Sequence, residues 1–599
     1  MSKKKKNARH QEATLKPRGF KSFNLKNTAR HLAVLALFSI FAFGIYWNSL
    51  KSPFIWDDRY LIAENHFIRS FSYCIEIFKH HLYYSSAGLS NFYRPLQNLV
   101  LMADYAIWKE NPAGYHITSV LFHILCGFLI YRFIDCIFGR KAIGILVGLL
   151  FLVHPVNSTV VDYISSRADS QVTFFILLSL ILFLSFLRGG ASLIVSIGAL
   201  TAFILAILSK ELGMILPFLL LITIPVFRER YPALEKGAAF KKTTPFFALL
   251  AVYVIARATA LRFPAPAPVE LPSLSIRLLT TFESFARLIK LLFLPVEIHI
   301  EKNIPFSAGL QQPSTIVSML FLGAIGIFAY AAQRYSRMIS FGMTWFFISL
   351  VPMANIMPIN ATIADHWLYL PCCGFFMACV GGVADALNRA PTRIRNILKW
   401  ISLCAYACII VALSALTIRQ NEIWADPIKF YQQALKYSPK SFRAHNEIGI
   451  IYLDQDKLDE AIVEFKKAID LYKEFDQAYD NLGIAYDLKG DYDNAILAHK
   501  KALTLNPNNP KIYNNLGNAF NKANRLEEAT EAYQGALRLN PGYKAVYNNL
   551  GVVYYKRGMF DEARRYWEKV LSIDPHFDMA RKNISVMERE SRKKIPEPH

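Results

Sequence analysis

Between residues 31 and 417 the sequence is a succession of apolar runs, and that succession limits the fold more than any other feature. The runs lie near 31–50, 115–134, 142–155, 170–187, 191–209, 212–227, 245–263, 314–333, 338–355, 367–387 and 398–417. A helix needs about 20 apolar residues to cross a bilayer, so the sequence predicts eleven spans, several of them short. Composition agrees: 53% of the 599 residues are hydrophobic and only 19% are charged, where a soluble chain carries about 25% charge. Disorder, collagen and a small disulfide scaffold are excluded. The first run, His31 to Leu50, lacks a small-residue cleavage site and reads as a retained anchor rather than a removed signal peptide.

The net charge of +22 divides unevenly. Residues 421–599 hold 27 Lys and Arg against 26 Asp and Glu, leaving 40 and 19 of the totals of 67 and 45 for residues 1–420. The excess lies in short clusters between apolar runs: the N-terminal lysines, Arg140-Lys141, Arg228 to Lys242, Arg334 to Arg337 and Arg389 to Lys399. That is the pattern of cytoplasmic loops, not of a nucleic-acid surface. Residues 1–30 then form a basic, disordered cytoplasmic tail. Residues 51–114, 156–169, 264–313, 356–366 and everything after 418 face the other side. Segment 276–295 has two readings, because Arg277, Glu283, Arg287 and Lys290 interrupt it. As a twelfth span it would return the C-terminal part to the cytoplasm; an amphipathic helix at the interface suits it better.

Residues 421–599 repeat. Gly449, Gly483, Gly517 and Gly551 are 34 residues apart, and Ala461, Ala495, Ala529 and Ala563 follow each by twelve. Pro507, Pro541 and Pro575 close three copies. This matches the tetratricopeptide pattern of stacked helix pairs. It gives a half repeat at 421–441, repeats at 442–475, 476–509, 510–543 and 544–577, and a capping helix at 578–593. The expected fold is all-α: a polytopic membrane helix bundle at 31–420, with its first outer loop at 51–114, followed by a tetratricopeptide α-solenoid at 421–599. Asn446, Asn481, Asn514, Asn515, Asn548 and Asn549 recur along the array. They suit the backbone of an extended acceptor polypeptide, or else they satisfy helix ends and surface geometry.

The eight cysteines (74, 126, 136, 372, 373, 379, 404 and 408) fall mostly in or beside apolar runs, without metal-ligand spacing. They read as small buried hydrophobes. His116, His123 and His154 read as hydrogen-bonded bundle residues, and no metal site is expected.

Chemistry concentrates on the outer side. Trp56-Asp57-Asp58 follows the first span, and two adjacent carboxylates at a membrane surface raise one another's pKa. One of them suits a general base for a hydroxyl; together they also suit a divalent cation. Tyr93-Arg94-Pro95-Leu96, His154-Pro155, Arg167, Asp169, Lys210-Glu211 and Asp365-His366-Trp367-Leu368-Tyr369 share that side. Arg94, Arg167 and Lys210 suit a lipid-linked phosphate. The plainer role of each is a salt bridge within the bundle, Lys210 with Glu211 for example. Ionisable groups at membrane depth are costly, which favours a shared purpose.

These motifs, with Leu368-Tyr369-Leu370-Pro371 and the repeats, resemble those of the transmembrane and tetratricopeptide repeat-containing (TMTC) proteins over nearly the whole chain after residue 30. The resemblance implies a GT-C glycosyltransferase, a class that takes sugars from polyprenyl-phosphate carriers. In eukaryotic members the implied activity is protein O-mannosylation. It implies that the acidic pair Asp57 and Asp58 is the catalytic motif. This chain has few repeats, like compact prokaryotic relatives, and carries Asp365-His366 where an acidic-basic pair is expected.

The expectation is therefore an inverting transfer of a sugar to protein Ser or Thr hydroxyls. Asp57 is the preferred base and Asp58 the second choice; Arg94, Arg167 and Lys210 hold the donor phosphate; His154, Glu211, Asp365 and Tyr369 are further site candidates. Asn481, Asn514, Asn515, Asn548 and Asn549 receive the acceptor. No cofactor is required beyond the lipid-phosphate donor. The membrane would be the bacterial inner membrane or the endoplasmic reticulum, with the N-terminus cytoplasmic and the repeats outside. An O-antigen-ligase-like transferase is the enzymatic rival, though its key basic residues belong in a large late outer loop and 356–366 is short. A membrane-anchored scaffold without catalysis is the rival from another class. A transporter would need paired broken helices in matching halves.

Overall fold

The computed structural model describes residues 25–85, 90–189, 192–263, 272–299, 304–357 and 361–593. The basic tail therefore lies outside the described residues as far as residue 24. The chain divides into two compact units, Met1–Asp426 and Pro427–His599.

Every expected apolar run of the first unit is helical, but the helices differ in reach. Eight of the described helices are long and apolar enough to cross a membrane: Thr28–Tyr46, Pro112–Phe138, Ile164–Leu187, Glu211–Arg230, Lys236–Ala258, Pro313–Ala332, Pro371–Arg389 and Thr392–Trp424. The runs expected at 191–209 and 338–355 form the shorter helices Leu193–Ser209 and Arg337–Met353. The run at 142–155 forms Lys141–Val153, which bends by 59° into Pro155–Asp162. The last helix continues four residues beyond the expected edge at 420, to Trp424.

The bend has a chemical cause. Pro155 lacks an N–H and disfavours a helical residue before it, and His154 is extended at φ −74, ψ 125. The carbonyls stranded at the break then need donors. Asn157 Nδ2 donates to Phe151 O at 2.7 Å, and Thr417 Oγ1 donates to Val153 O at 2.7 Å. His123 Nε2 lies 3.2 Å from Leu152 O. His154 Nδ1 in turn accepts the N–H of Val156. The break is therefore braced by Pro112–Phe138 and by the last helix.

Segment 276–295 is the helix Leu274–Phe293, which is not among those apolar enough to span. Its buried face is mixed: Thr280, Glu283 and Ser284 beside Leu288 and Ile289. Thr315 Oγ1 and Ser314 Oγ donate to Glu283, and Ser284 Oγ donates to Thr362 O. An amphipathic helix is what those polar anchors produce.

In the second unit, antiparallel helix pairs run from Phe442–Asp454 with Leu458–Leu471 to Lys544–Lys556 with Phe560–Ile573. Each repeat glycine lies under a ring sixteen residues on. A Cβ at Gly449, Gly483, Gly517 or Gly551 would come within 2.4–2.6 Å of Phe465, His499, Tyr533 or Trp567. The alanines Ala461, Ala495, Ala529 and Ala563 are fully buried. Glycine and alanine let each pair close to that distance.

The tightest crossing in the first unit is glycine on glycine. A Cβ at Gly342 would stand 2.3 Å from the Gly374 carbonyl oxygen, a backbone atom that cannot swing away. Gly342→Ala should lower stability by about 1–3 kcal/mol, the usual cost of overpacking. Gly326→Ala, where nothing lies within 4 Å, should be neutral or slightly stabilising because alanine is the better helix former. Thermal unfolding of both variants in detergent tests the contrast; equal melting points would refute the crossing.

Candidate functional site

The acidic pair sits on a turn that separates its two members. Trp56 has φ +54, a left-handed conformation uncommon for a non-glycine residue. Ile55 O accepts the N–H of Asp58 at 3.1 Å, and the chain then winds into a wide turn over Arg59–Ala63. Asp58 points inward and is fully buried. The N–H and the hydroxyl of Ser165 donate to its Oδ1 at 2.7 and 2.6 Å, while Oδ2 is buried without a partner among the described residues. Burial pushes the Asp58 carboxyl up to about 7, against the lowering effect of the Ser165 bonds, and the charge of Asp57 adds to the rise.

Asp57 is only half-buried. Its Oδ2 accepts a hydrogen bond from the Tyr83 hydroxyl at 3.1 Å, and its N–H donates to the Tyr163 hydroxyl at 3.2 Å. Tyr163 stacks on Trp424 with centroids 5.9 Å apart. The two carboxylates thus have different surroundings: one oriented near the surface, the other enclosed.

Two paired cations stand beside them. Arg94 donates to Glu211 through Nε at 3.0 Å and Nη2 at 2.8 Å, and its guanidinium lies 4.6 Å from the Phe92 ring centre. Lys210 Nζ bonds both oxygens of Asp169, at 2.8 and 2.7 Å. Lys210 is extended (φ −161, ψ 150) between two helices. The following turn lies so close to the preceding helix that a Cβ on Gly213 would meet the backbone of Ala206 at 2.6 Å. Tyr83 is within electrostatic reach of Asp57 and Arg94, and His366 within that of Lys210, Asp169 and Arg94. Asp57, Tyr83, Arg94, Glu211, Lys210, Asp169 and His366 therefore form one polar group drawn from four stretches of chain.

Other expected site residues are committed elsewhere. Arg167 is 1% exposed and ion-pairs with Asp104; it also donates to Ser119 Oγ at 3.0 Å and Tyr115 O at 2.7 Å. Those internal bonds fix Pro95–Trp108 against Pro112–Phe138, so Arg167 is removed from the phosphate set. His154 braces the bend and bonds Leu292 O at 3.1 Å. The Tyr369 hydroxyl is 2.7 Å from His123 Nδ1, inside the bundle. Asp365 accepts the N–H of His299 at 3.2 Å. His116 Nε2 is 3.0 Å from Ser52 O. Lys210 pairs with Asp169, not with the adjacent Glu211. Among the described residues no three His, Cys, Asp or Glu side chains converge as metal ligands.

Tyr83 and Tyr163 were not singled out in the sequence, and nothing local marks them among 30 tyrosines. Asp169 carried a usable signal: an acid in an apolar helix needs a cation partner.

In the repeats, the recurring asparagines bond an asparagine or aspartate of the neighbouring copy. Asn481 donates to Asn446 Oδ1 at 3.0 Å, Asn515 to both oxygens of Asp480, Asn549 to Asn514 Oδ1 at 3.1 Å, and Asn583 to Asn548 Oδ1 at 3.1 Å. Each rung spans 35 residues. Asn514 and Asn548 are buried acceptors of this ladder, so their oxygens serve the array itself. Asn481, Asn515 and Asn549 are half-exposed.

Comparison with known proteins agrees with this architecture. Models described as "Tetratricopeptide repeat" match residues 428–474 and 545–577, and one described as "TPR repeat" matches 485–523 and 517–558. "Protein O-mannosyl-transferase F38B6.6" of Caenorhabditis elegans is 24% identical over 75% of this chain and 64% of its own length. "Protein O-mannosyl-transferase TMTC3" of Homo sapiens is 23% identical over 71% of this chain and 50% of its own. The chain is TMTC-like. It spans about half to two thirds of the length of these curated relatives. Among solved structures, "Crystal structure of MamA" is 29% identical with a TM-score of 0.24, covering 25% of this chain and 86% of that one. "Crystal structure of YrrB: a TPR protein with an unusual peptide-binding site" is 21% identical with a TM-score of 0.24, covering 32% and 89%.

The raised Asp58 carboxyl has a consequence for stability in this TMTC-like chain. A carboxyl that binds its proton more tightly in the fold favours the fold fully below its ordinary value, and that advantage is lost as pH rises to the folded value. Here the window runs from 3.8 to about 7. Chemical denaturation across that window should show stability falling with pH through this group. Asp58→Asn should flatten the slope, and an unchanged slope would mean that Asp58 does not hold its proton.

Proposed function

We propose that this chain is an integral membrane glycosyltransferase. It moves a sugar from a polyprenyl-phosphate carrier to Ser or Thr hydroxyls of proteins on the extracytoplasmic side. The single observation that carries the reading is Asp57, a half-buried carboxylate oriented by Tyr83, beside two arginine and lysine ion pairs at the ends of apolar helices. The similarity to proteins named O-mannosyl-transferases supports mannose as the sugar.

In this reading Asp57 takes the proton of the acceptor hydroxyl while that oxygen attacks the anomeric carbon. The bond from that carbon to the phosphate oxygen breaks, the configuration inverts, and the polyprenyl phosphate leaves with the electron pair. The leaving phosphate is stable as an anion and needs no protein acid. Arg94 suits it, since Nε and Nη2 face Glu211 while Nη1 makes no bond among the described residues. Lys210 adds charge to the same place. Asp58 acts through structure: its Ser165 bonds hold the turn that presents Asp57, and its enclosed Oδ2 cannot meet an acceptor. Asn481, Asn515 and Asn549 present half-exposed amides for the backbone of an acceptor polypeptide.

Asp57→Asn keeps the size of the side chain but removes the basic oxygen. Turnover should fall by about 10²–10⁴-fold, the usual worth of general-base catalysis, with donor-lipid binding unchanged. Purified protein, labelled polyprenyl-phosphate mannose and an acceptor peptide supply the measurement. Wild-type turnover in Asp57→Asn would mean that Asp57 is not the base, whereas no turnover in the unaltered protein would favour the scaffold reading.

The side of the membrane has its own test. Basic clusters that set the N-terminus inside, with an odd number of crossings as in the expected eleven, put the repeats outside, so external protease on sealed cells or spheroplasts should remove them. Protection of the repeats while a control outer domain is cut would overturn the extracytoplasmic assignment.

A further inference from the structure

We infer that the end of the first membrane helix and the short helix Ser158–Asp162 together form a binding site for a monovalent metal cation. The starting point is Asp162, which is completely buried and whose carboxylate has only the Ser49 hydroxyl within hydrogen-bonding reach among the described residues. A buried carboxylate without compensation is among the costliest arrangements in a protein interior. No Lys, Arg or His of the described residues forms an ion pair with it.

Its neighbours have the same need. Ser49 and Tyr46 lie next to Asp162: the Ser49 hydroxyl reaches its carboxylate, and the Tyr46 hydroxyl is buried without a partner among the described residues. Ser158 and Thr159 precede Asp162 by four and three residues on the same helix, which places them on its face. Their hydroxyls are likewise buried without partners. Asn421, on the last membrane helix, donates to Ile45 O at 3.0 Å and to Asn48 Oδ1 at 3.1 Å, leaving its own Oδ1 buried and unpaired. Buried polar groups in folded proteins are nearly always satisfied, so this many on the short helix 158–162 and the two helix ends beside it call for a shared partner.

The chemistry of that partner follows from the atoms on offer. All are oxygens: one carboxylate, four hydroxyls and one amide carbonyl, the donor set of a hard cation. A proton on Asp162 would satisfy only one neighbour, whereas a cation engages several at once. One carboxylate neutralises one positive charge, so a monovalent ion leaves the site neutral where a divalent ion would bury an excess charge. Sodium and potassium are the candidates. The site also has a structural reach: Tyr163, which receives the N–H of Asp57, is the next residue in the chain.

The test uses the full chain in detergent, with thermal unfolding followed at constant ionic strength as choline chloride is exchanged for sodium or potassium chloride. The melting temperature should rise saturably with one of the metal ions and not with choline. The response should vanish in Asp162→Asn. In Ser49→Ala the apparent affinity should weaken by about tenfold, at the low end of what altered metal surroundings cost. Should Asp162→Asn not fold, Ser49→Ala decides alone. A melting temperature that ignores the cation, or a response undiminished in the variants, would overturn the site and leave a protonated Asp162 with bound water.

Discussion

A helix that meets proline in apolar surroundings must stop, and the carbonyls it leaves behind must find donors. Pro155 imposes that constraint, and much of the first unit is arranged to meet it. His123, Asn157 and Thr417 come from three different segments to satisfy Leu152, Phe151 and Val153. Beyond the break, the chain turns through 155–166 before re-entering the long helix at Arg167. That stretch supplies the two groups that hold the acidic pair: the Ser165 N–H and hydroxyl, and the Tyr163 hydroxyl. Without the break, Asp58 would lose its Ser165 donors and Asp57 its Tyr163 anchor.

Cations near the site follow the same economy. A lone ammonium or guanidinium among apolar helices is strongly disfavoured, and here each has its own carboxylate. The pairings Arg94–Glu211, Lys210–Asp169 and Arg167–Asp104 differ in what they leave over. Arg167 spends its donors on Asp104, Ser119 and Tyr115. Arg94 spends only Nε and Nη2, both on Glu211. Three residues of similar appearance in the sequence thus separate into one that holds helices together and two that stand beside the acidic pair.

The legible parts of the fold were periodic or compositional. Each apolar run of the first unit announced a helix because a run of hydrocarbon must be buried or face lipid, whereas Pro95–Trp108 in the first outer loop was not announced. The 34-residue recurrence announced the repeats because each Gly–ring contact returns at the same place. Contacts between distant segments were not legible. Glu211 follows Lys210 in the chain and looked like its partner, but successive side chains on extended backbone point apart, so each reached a different residue. Tyr83 is 26 residues from Asp57, and Tyr163 is 106; no local pattern encodes either contact. The ladder asparagines were visible as a recurrence, yet the direction of their bonds was not. A 34-residue period places equivalent residues in neighbouring copies, and only the stacking angle makes residue n+35 the one that donates to residue n.

The acidic pair shows how far adjacency can mislead. Two neighbouring carboxylates suggest a shared proton and a shared role. The left-handed Trp56 precedes a turn in which one of them is directed into the bundle and the other toward the surface. Enclosure raises the proton affinity of Asp58, and the Ser165 bonds occupy only one of its oxygens, so the other is the natural seat of a proton below about pH 7. A neutral Asp58 spares Asp57 the repulsion of a second negative charge. In the proposed reaction the division of labour is therefore set by burial: the enclosed acid holds the turn, and the half-buried one is placed to meet the acceptor hydroxyl.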